Sequence, residues 1–358
     1  MTHPVIRMAE HLKTVTLPVA SQTHITIPVA FVNGMLAGVQ ALDEPWATFL
    51  DEAGISPELL AQAGARITAA QYVALFRVLI ERRQDECLGF LSRPLKPGSF
   101  ALVARSTLGA PDLGTAIRRL SKTFWLLQDD LVLEPQRDGE SVALAVRFNN
   151  PGAARHDFLH VLVLRVFWRL IAWLAGGRLP VTRFDFAFDT SPNLASYGVI
   201  FPAQLEFGRQ QTAFWFDAEW LQCPMLRDET ALRAFIADAQ ANIVAPGRGD
   251  GIYSARVRRH LQKSMPAWPD LGSTADALHL SSSTLQRRLT VEGASFQIIK
   301  DDLRRDMAIA RLSSGTVSLG ELAHEMGFAE TGAFQRAFKV WTGSAPGAYR
   351  RGGARRRD

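Results

Sequence analysis

The chain has 358 residues, of which 47% are hydrophobic and 21% are charged. This balance is typical of a globular protein and excludes a disordered or fibrous one. The length is sufficient for two domains. The two cysteines, Cys87 and Cys223, are far apart in sequence. They are too few for a disulfide framework or a Cys-rich zinc site, and they suit a reducing compartment.

Charge is distributed unevenly along the chain. From Gly251 to the end there are 17 Lys and Arg against 10 Asp and Glu, whereas residues 1–250 hold 23 against 25. The net charges are therefore +7 and −2. A basic C-terminal part indicates a polyanionic partner. Because four of these arginines lie in the last eight residues, a merely solvated basic tail remains the alternative.

The sequence predicts a cytoplasmic protein that does not enter the membrane. Charged residues are scattered through residues 1–15, and no apolar stretch of signal-peptide length follows. The most apolar segment, 158–175, contains Arg165 and Arg169. Each charge at the centre of a bilayer costs roughly 2.5–3.5 kcal/mol. This segment is therefore predicted to be a buried amphipathic helix.

Hydrophobic periodicity predicts an α+β domain in the first 245 residues. The predicted helices are 31–41, 45–53, 69–83, 113–127, 158–175 and 232–244. The predicted strands are 131–134, 142–148, 182–188, 204–207 and 213–216. The Asp-Gly pair within residues 137–140 predicts a hairpin turn between the first two of these strands.

Aromatic residues concentrate in the last strands, and we interpret them as sheet core, with a ligand pocket as the alternative. They are Phe184, Phe186, Phe188, Phe214, Trp215 and Phe216. The neighbours His156 and Asp157 do not indicate catalysis, because adjacent residues diverge on a helix and no nucleophile motif accompanies them. Neither a cofactor fingerprint nor a metal-binding cluster is recognisable, so no cofactor is predicted.

A linker is predicted at residues 246–251, where Pro246 and three glycines interrupt the helical pattern. The linker separates residues 1–245, a predicted ligand-sensing or dimerisation domain, from a helical domain at 252–350. A basic tail, 351–358, follows.

Residues 273–290 predict two short helices with a turn between them. Ser281 is placed to cap the second helix, and Leu285 and Leu289, four residues apart, face inward. The outer side then carries hydrogen-bonding residues, namely Ser282, Ser283, Gln286 and Arg287. This pattern predicts a helix-turn-helix, whose second helix enters the major groove of DNA. Gln can pair there with adenine and Arg with guanine.

A second unit of the same kind is predicted at residues 318–349. Met326, Gly327 and Phe328 form its turn, where glycine is free to take a left-handed conformation. A helix from about residue 330 to 341 follows. Its inner side is predicted to hold Phe334, Phe338 and Trp341, and its outer side Thr331, Gly332, Gln335, Arg336 and Lys339.

A long helix at 295–313 is predicted to join the two units. Nineteen residues at a rise of about 1.5 Å span about 28 Å. Two recognition helices at that separation could meet successive major grooves, which recur every ~34 Å. This geometry predicts either bending of the DNA or weaker engagement of one of the two helices.

Residues 252–350 resemble the C-terminal domain of the AraC/XylS family of bacterial transcription regulators. The matching segments are LQRRL (285–289), EGASF (292–296), RRDMA (304–308), MGF (326–328), AFQRAFKVWTG (333–343) and PGAYR (346–350). Residues 155–157 (RHD) and 205–208 (LEFG) are similar to the arabinose-binding-like N-terminal domain of the ornithine-utilisation-regulator group.

The resemblance implies base-reading positions in both units. They are Ser283, Gln286 and Arg287 in the first, and Thr331, Gly332, Gln335 and Arg336 in the second. Gly332 has no side chain and lowers helix propensity by roughly 1 kcal/mol relative to Ala. Ala329 stands where family members often have a capping Ser or Asp. We therefore expect the first unit, through Gln286 and Arg287, to contribute more base specificity.

Four further basic residues are candidates for phosphate contacts: Arg288, Arg304, Arg305 and Lys339. Exposure to solvent or ion pairing with Asp301, Asp302 and Asp306 is the alternative for each of them.

The resemblance implies a transcription regulator that binds double-stranded promoter DNA and contacts RNA polymerase, with activation favoured over repression. It also implies control by an unidentified small molecule in the N-terminal domain, and a homodimer. One alternative is a constitutive DNA-binding regulator whose N-terminal domain only dimerises. Another is an enzyme fused to a DNA-binding domain, which would need a nucleophile and base that the sequence does not show.

Overall fold

The computed structural model describes residues 26–40, 46–62, 64–177, 179–189, 197–198, 200–225, 227–237, 239, 252–292, 294–314 and 317–350. These residues form two compact units. The first unit takes its described residues from 34–40 and 79–239, and the second from 26–33, 46–78 and 252–350. Both units are therefore discontinuous in sequence. The functional bounds predicted above, with a sensing domain at 1–245, stay a prediction. The predicted linker, 246–251, and the predicted basic tail, 351–358, lie outside the described residues.

Seven strands and fourteen helices are present in the described residues. The strands are β1 (Thr26–Pro28), β2 (Arg66–Thr68), β3 (Leu131–Asp138), β4 (Ser141–Phe148), β5 (Val181–Asp185), β6 (Gln204–Glu206) and β7 (Thr212–Asp217). The helices of the N-terminal part are α1 (Val29–Gln40), α2 (Ala47–Ala53), α3 (Ala69–Arg83), α4 (Ser99–Arg105), α5 (Leu113–Leu127), α6 (Pro151–Ala154), α7 (Asp157–Leu174) and α8 (Glu229–Ala237).

The C-terminal part is helical and has the order that two helix-turn-helix units joined by a long helix require. Its helices are α9 (Ile252–Lys263), α10 (Leu271–Ala277), α11 (Ser282–Val291), α12 (Phe296–Ser314), α13 (Leu319–Glu325) and α14 (Thr331–Thr342). A short 3-10 helix, Pro346–Tyr349, ends the described chain. The predicted architecture, an α+β domain followed by a helical domain with two such units, is confirmed.

The first unit is built on a five-stranded sheet with the order β3-β4-β7-β5-β6. All neighbouring strands are antiparallel except β5 and β6. The predicted hairpin joins β3 to β4, and Gly139 takes the left-handed conformation, with φ 59°. The strand β3 continues through Pro135, beyond its predicted end. An edge strand tolerates proline because one of its sides makes no ladder hydrogen bonds.

Helix α7 is the buried amphipathic helix that was predicted, shifted by one residue at each end. Arg165 is only 6% exposed, and its guanidinium donates to the carbonyl oxygen of Ile200 at 2.8 Å. In the part of the chain that the structure describes, none of the helices combines the length and apolar character of a membrane span.

The predicted aromatic core of the sheet is largely closed to solvent. Four of the six residues are at most 1% exposed, namely Phe184, Phe186, Phe214 and Phe216. Phe188 and Trp215 are half-buried. The ring of Phe186 also lies 5.1–5.7 Å, between centroids, from those of Tyr197, Phe201 and Phe207. These contacts favour the interpretation as core.

His160 is a buried imidazole in α7 with a partner at each ring nitrogen. Nε2 lies 2.8 Å from the carbonyl oxygen of Ala154, and Nδ1 lies 2.7 Å from Oγ1 of Thr212. Since a carbonyl only accepts, Nε2 carries the proton in the neutral ring and Nδ1 accepts from the Thr212 hydroxyl. Burial lowers the pKa of His160 below its ordinary value, although the Ala154 carbonyl and Asp157 oppose this.

We expect the first unit to lose stability on acidification through His160. Its pKa is lower in the folded than in the unfolded state, so the unfolded chain binds the proton first. The stabilisation is complete above the unfolded pKa, about 6.5, and is lost as the pH falls towards the folded pKa. Urea unfolding at about pH 7, 6 and 5 measures this loss of stability, to which His160 contributes up to ~1.4 kcal/mol per pH unit.

His160→Gln should flatten the slope of the free energy of unfolding against pH, while the exposed control His324→Gln should keep that slope. An unchanged slope in His160→Gln contradicts the assignment.

Candidate nucleic-acid interface

The first helix-turn-helix is formed by α10 and α11, and each helix begins at a side-chain cap. Oδ1 of Asp270 accepts from the backbone N–H of Ser273 at 2.8 Å. Oγ of Ser281, the predicted cap, accepts from the N–H of Thr284 at 3.2 Å. In the turn, His279 takes a positive φ of 58°. The capping oxygens satisfy N–H groups that have no partner inside the helix.

The outer side of α11 is open to solvent, as the sequence pattern predicts. Leu285 and Leu289 are at most 1% exposed and attach the helix to its unit. All four predicted DNA-binding residues of this helix are exposed, namely Ser282, Ser283, Gln286 and Arg287. Their side chains are free of the core, which any contact with base edges requires. The contact itself stays a prediction.

The second helix-turn-helix is formed by α13 and α14. Ser318 and Glu321 form a capping box at the start of α13: each side chain accepts from the other residue's backbone N–H, at 2.9 and 3.1 Å. The Ser-x-x-Glu spacing of residues 318–321 is the sequence signal of such a box. At the start of α14, Glu330 makes no side-chain capping bond. This agrees with the missing cap expected from Ala329.

The outer side of α14 is also exposed. Phe334 and Phe338 are fully buried, and Trp341, predicted to be core, is half-buried with its ring 5.9 Å from that of Phe328. Of the predicted DNA-binding residues, Thr331 is half-buried, and the others are exposed, namely Gly332, Gln335 and Arg336. Both recognition helices therefore present Gln and Arg to solvent.

The turn between α13 and α14 packs tightly against its surroundings. Gly327 has a φ of 74°, and a Cβ atom there would lie 2.8 Å from Cδ1 of Trp268. The indole N–H of Trp268 donates to the carbonyl oxygen of Glu325 at 2.7 Å. Arg304 lies over two rings, with Cζ 5.0 Å from the centroid of Trp268 and 5.1 Å from that of Phe328. The close approach and the left-handed backbone both require glycine.

The four candidate phosphate contacts divide into two pairs. Arg304 is half-buried, and burial lowers its pKa. Arg305 donates to Asp302 at 2.7 Å and to Asp306 at 3.0 Å. Burial would lower the pKa of Arg305, but these two carboxylates raise it. For Arg304 and Arg305 the structure therefore favours intramolecular roles, whereas Arg288 and Lys339 are exposed and remain candidates.

The long helix α12 runs from Phe296 to Ser314, one residue later at each end than predicted. The guanidinium of Arg311, near its end, makes two bonds to the carboxylate of Glu325 in α13, at 3.0 and 2.7 Å. This bidentate pair fixes the second unit to the joining helix.

Glu292, just after α11, caps a helix that precedes the first unit. Its carboxylate accepts from the backbone N–H groups of Tyr253 and Ser254 at 2.9 and 2.8 Å, and from the Ser254 hydroxyl at 2.6 Å. Burial would raise the pKa of Glu292, but these hydrogen bonds lower it. Sequence reasoning missed this contact because almost forty residues separate the partners.

Two family models match the chain and together span most of it. Residues 274–352 match a helix-turn-helix domain, and residues 45–225 match the arabinose-binding domain of AraC transcription regulators. With two exposed recognition helices in the first of these regions, the chain is a DNA-binding transcription regulator. Because the second match covers about half of the chain, the protein belongs to the AraC family, with an arabinose-binding-like N-terminal domain.

Relatives support this assignment over nearly the whole chain. The ornithine utilization regulator of Pseudomonas aeruginosa is 27% identical over 332 residues, which are 90% of this chain and 96% of that protein. The urease operon transcriptional activator of Escherichia coli is 33% identical over 89 residues, 25% of this chain and 30% of that protein. These relatives are regulators rather than enzymes, in agreement with the prediction of a non-enzymatic protein.

The crystal structure of the transcriptional regulator CdpR from Pseudomonas aeruginosa is also similar. It covers 89% of this chain and 96% of its own at 19% identity, with a TM-score of 0.31.

We expect Gly327→Ala to destabilise the second helix-turn-helix by about 1–3 kcal/mol, because a side chain would be held in the left-handed region and against Trp268. Urea unfolding of the full chain measures the loss. The matched control is His279→Gly, at the equivalent turn of the first unit, where φ is 58°. Glycine relieves the backbone strain there, so this variant should be as stable as the parent or slightly more so. Equal losses in both variants would contradict this account.

Proposed function

We propose that the protein reads promoter DNA with two recognition helices, α11 and α14, under the control of a small molecule bound by its N-terminal domain. The proposal rests on one observation: each helix exposes a Gln-Arg pair on its outer side and buries the apolar residues of its inner side. The base-reading residues in this proposal are Ser282, Ser283, Gln286, Arg287, Thr331, Gly332, Gln335 and Arg336.

The two helices differ in what they can recognise. In α11, Gln286 and Arg287 offer bidentate hydrogen bonds, which suit adenine and guanine respectively. In α14, Gln335 and Arg336 offer the same chemistry, but Gly332 contributes no side chain. We therefore assign the larger share of base specificity to the first unit.

Electrostatics supports a polyanionic partner for the C-terminal domain. The charge from residue 251 onward is +7, whereas residues 1–250 carry −2. Arg288 and Lys339 are exposed and stand beside the predicted base-reading residues, so they are the proposed phosphate contacts. Because promoter DNA is the partner, the cytoplasm is the proposed site of action.

Control by a small molecule is supported by the family match of residues 45–225. The word arabinose belongs to the name of that domain and assigns no effector to this chain. A ligand that binds only one of two conformations shifts the population towards it, and thereby changes DNA binding or contact with RNA polymerase.

Activation is favoured over repression, because the urease operon relative is named an activator. A homodimer is part of the proposal.

The rival proposal is a constitutive DNA-binding regulator whose N-terminal domain only dimerises. The dense aromatic packing around Phe186 favours this rival, because these rings contact one another and Phe186 is closed to solvent. The two proposals make opposite predictions for ligand binding.

For DNA binding, we expect Arg287→Ala to weaken the preferred site by about 1–3 kcal/mol and to leave random DNA nearly unaffected, because a bidentate base contact is lost. Fluorescence anisotropy with a fragment selected by the wild-type protein, and with a shuffled fragment, measures both affinities. The control is the neighbouring Arg288→Ala, which should weaken both fragments alike. If Arg287→Ala lowered the affinity for both fragments equally, Arg287 would be a phosphate contact and not a base-reading residue.

For ligand control, we expect one class of compound in a panel of amino acids, amines, sugars and fatty acids to raise the melting temperature of the full chain. A ligand at a hundred times its Kd stabilises the folded state by about 2.7 kcal/mol. The same compound should change the affinity for the selected DNA fragment. A panel without any shift would favour the constitutive rival.

A further inference from the structure

Two short strands from the N-terminal part of the chain belong to the same compact unit as the DNA-binding helices. β1 and β2 pair antiparallel, with Ile27 opposite Ile67, and both isoleucines are at most 1% exposed. The N–H of Val29 donates to the carbonyl oxygen of Ala65 at 2.9 Å and extends the pairing. We call this pair of strands, residues 26–28 and 66–68, the N-terminal ribbon.

The ribbon supplies a hydrogen bond to a buried charge in the joining helix. Asp306, in the middle of α12, is fully buried. Its Oδ1 accepts from the hydroxyl of Thr26 at 2.5 Å and from Arg305 at 3.0 Å. Arg66 in turn donates from Nε to Oγ1 of Thr26 at 2.8 Å, and from Nη2 to the Thr26 carbonyl oxygen at 2.8 Å. A buried carboxylate is costly unless it is paired and hydrogen-bonded, so these bonds fix the ribbon on α12.

The same ribbon reaches the end of the second recognition helix. The backbone N–H of Arg66 donates to the hydroxyl of Tyr349 at 3.1 Å. The Tyr349 ring meets Phe338 of α14 edge-on, with centroids 5.2 Å apart. A Cβ atom on Gly64 would lie 3.1 Å from the carbonyl oxygen of Thr342, the last residue of α14. Strand β2 and the residues before it therefore contact both α12 and the C-terminal end of α14.

Helix α14 needs such support more than α11 does. It lacks a side-chain cap, and it contains Gly332 in its first turn. Each feature weakens a helix, by about 1 kcal/mol in each case. Its orientation is therefore decided by tertiary contacts, and base readout depends on a recognition helix being held to within about 0.5 Å.

We propose that the N-terminal ribbon positions the second recognition helix relative to the joining helix, with Thr26 and Tyr349 as positioning residues for DNA reading. The segment that completes the DNA-binding unit thus lies more than 200 residues before the joining helix α12 in sequence. The proposal rests on the proposed role of α14 in reading DNA.

The test uses the full-length chain and a DNA fragment selected by the wild-type protein. Thr26→Val keeps the shape of the side chain and removes the hydroxyl that Asp306 accepts from. Hydroxyl-radical footprinting should show loss of protection in the half-site read by α14 and retention in the half read by α11. The overall affinity should fall about tenfold, because the contacts of α14 with DNA are weakened while those of α11 persist.

The matched control is Thr68→Val, the residue opposite Thr26 in the ribbon. Among the described residues, its hydroxyl bonds to Gln71, at the start of α3, and to no other residue. This variant should lose comparable stability but keep protection of both halves. If Thr26→Val is too unstable to purify, Tyr349→Phe removes the hydroxyl that accepts from the backbone N–H of Arg66. The same loss of protection in the half-site read by α14 is then expected.

Two results would overturn the proposal, and they are distinguishable. The first result is that Thr26→Val loses protection in both halves alike, or gives the same footprint as Thr68→Val. The ribbon would then be purely structural, and the proposed role of α14 in reading DNA would stand. The second result comes from Gln335→Ala and Arg336→Ala in the otherwise wild-type chain. If these variants leave the footprint unchanged, α14 does not read DNA, and both the proposed function of that helix and the positioning role fail.

Discussion

A carboxylate without solvent contact has to be neutralised by its neighbours, and this requirement organises the DNA-binding unit. Asp306 sits in the middle of the helix that joins the two helix-turn-helix units, and it is 0% exposed. Arg305 of the same helix supplies charge, and Thr26 supplies a hydroxyl from a strand 280 residues away. Removing one partner of such a group costs far more than the net contribution of an ordinary hydrogen bond. The joining helix and the ribbon are consequently held together, and the second recognition helix packs against the joining helix and against the residues just before β2.

The two recognition helices reach the same exposed arrangement by different means. The first begins at a Ser281 cap and is held by two leucines of its own sequence neighbourhood. The second begins without a side-chain cap and depends on a partner outside it, the Tyr349 ring against Phe338. The helix before it, α13, is held to the joining helix by the pair of Arg311 with Glu325. Gly327 permits its turn because a side chain there would clash with Trp268. Local sequence stabilises the first helix, and tertiary packing stabilises the second.

Much of the secondary structure could be predicted because it depends on near neighbours. The hairpin at Gly139, the buried helix with Arg165 and the Ser281 cap all follow from patterns within a few residues. The ribbon could not be predicted, because three-residue strands are too short to show an alternating pattern. Local sequence does not decide the role of Arg304 either, since whether a guanidinium faces phosphate or stacks on two rings depends on residues that are distant in sequence.

By itself, the sequence determined the class of protein, the order of the main helices and of the five strands of the larger sheet, and the outward-facing residues of both recognition helices. Periodicity, capping and turn chemistry act over one or two turns of chain, so they can be read without coordinates. Only the tertiary structure decided which residues complete the DNA-binding unit. Burial of Asp306 brings Thr26 and Arg66 onto the joining helix, and such long-range satisfaction of a buried charge leaves no trace in local sequence.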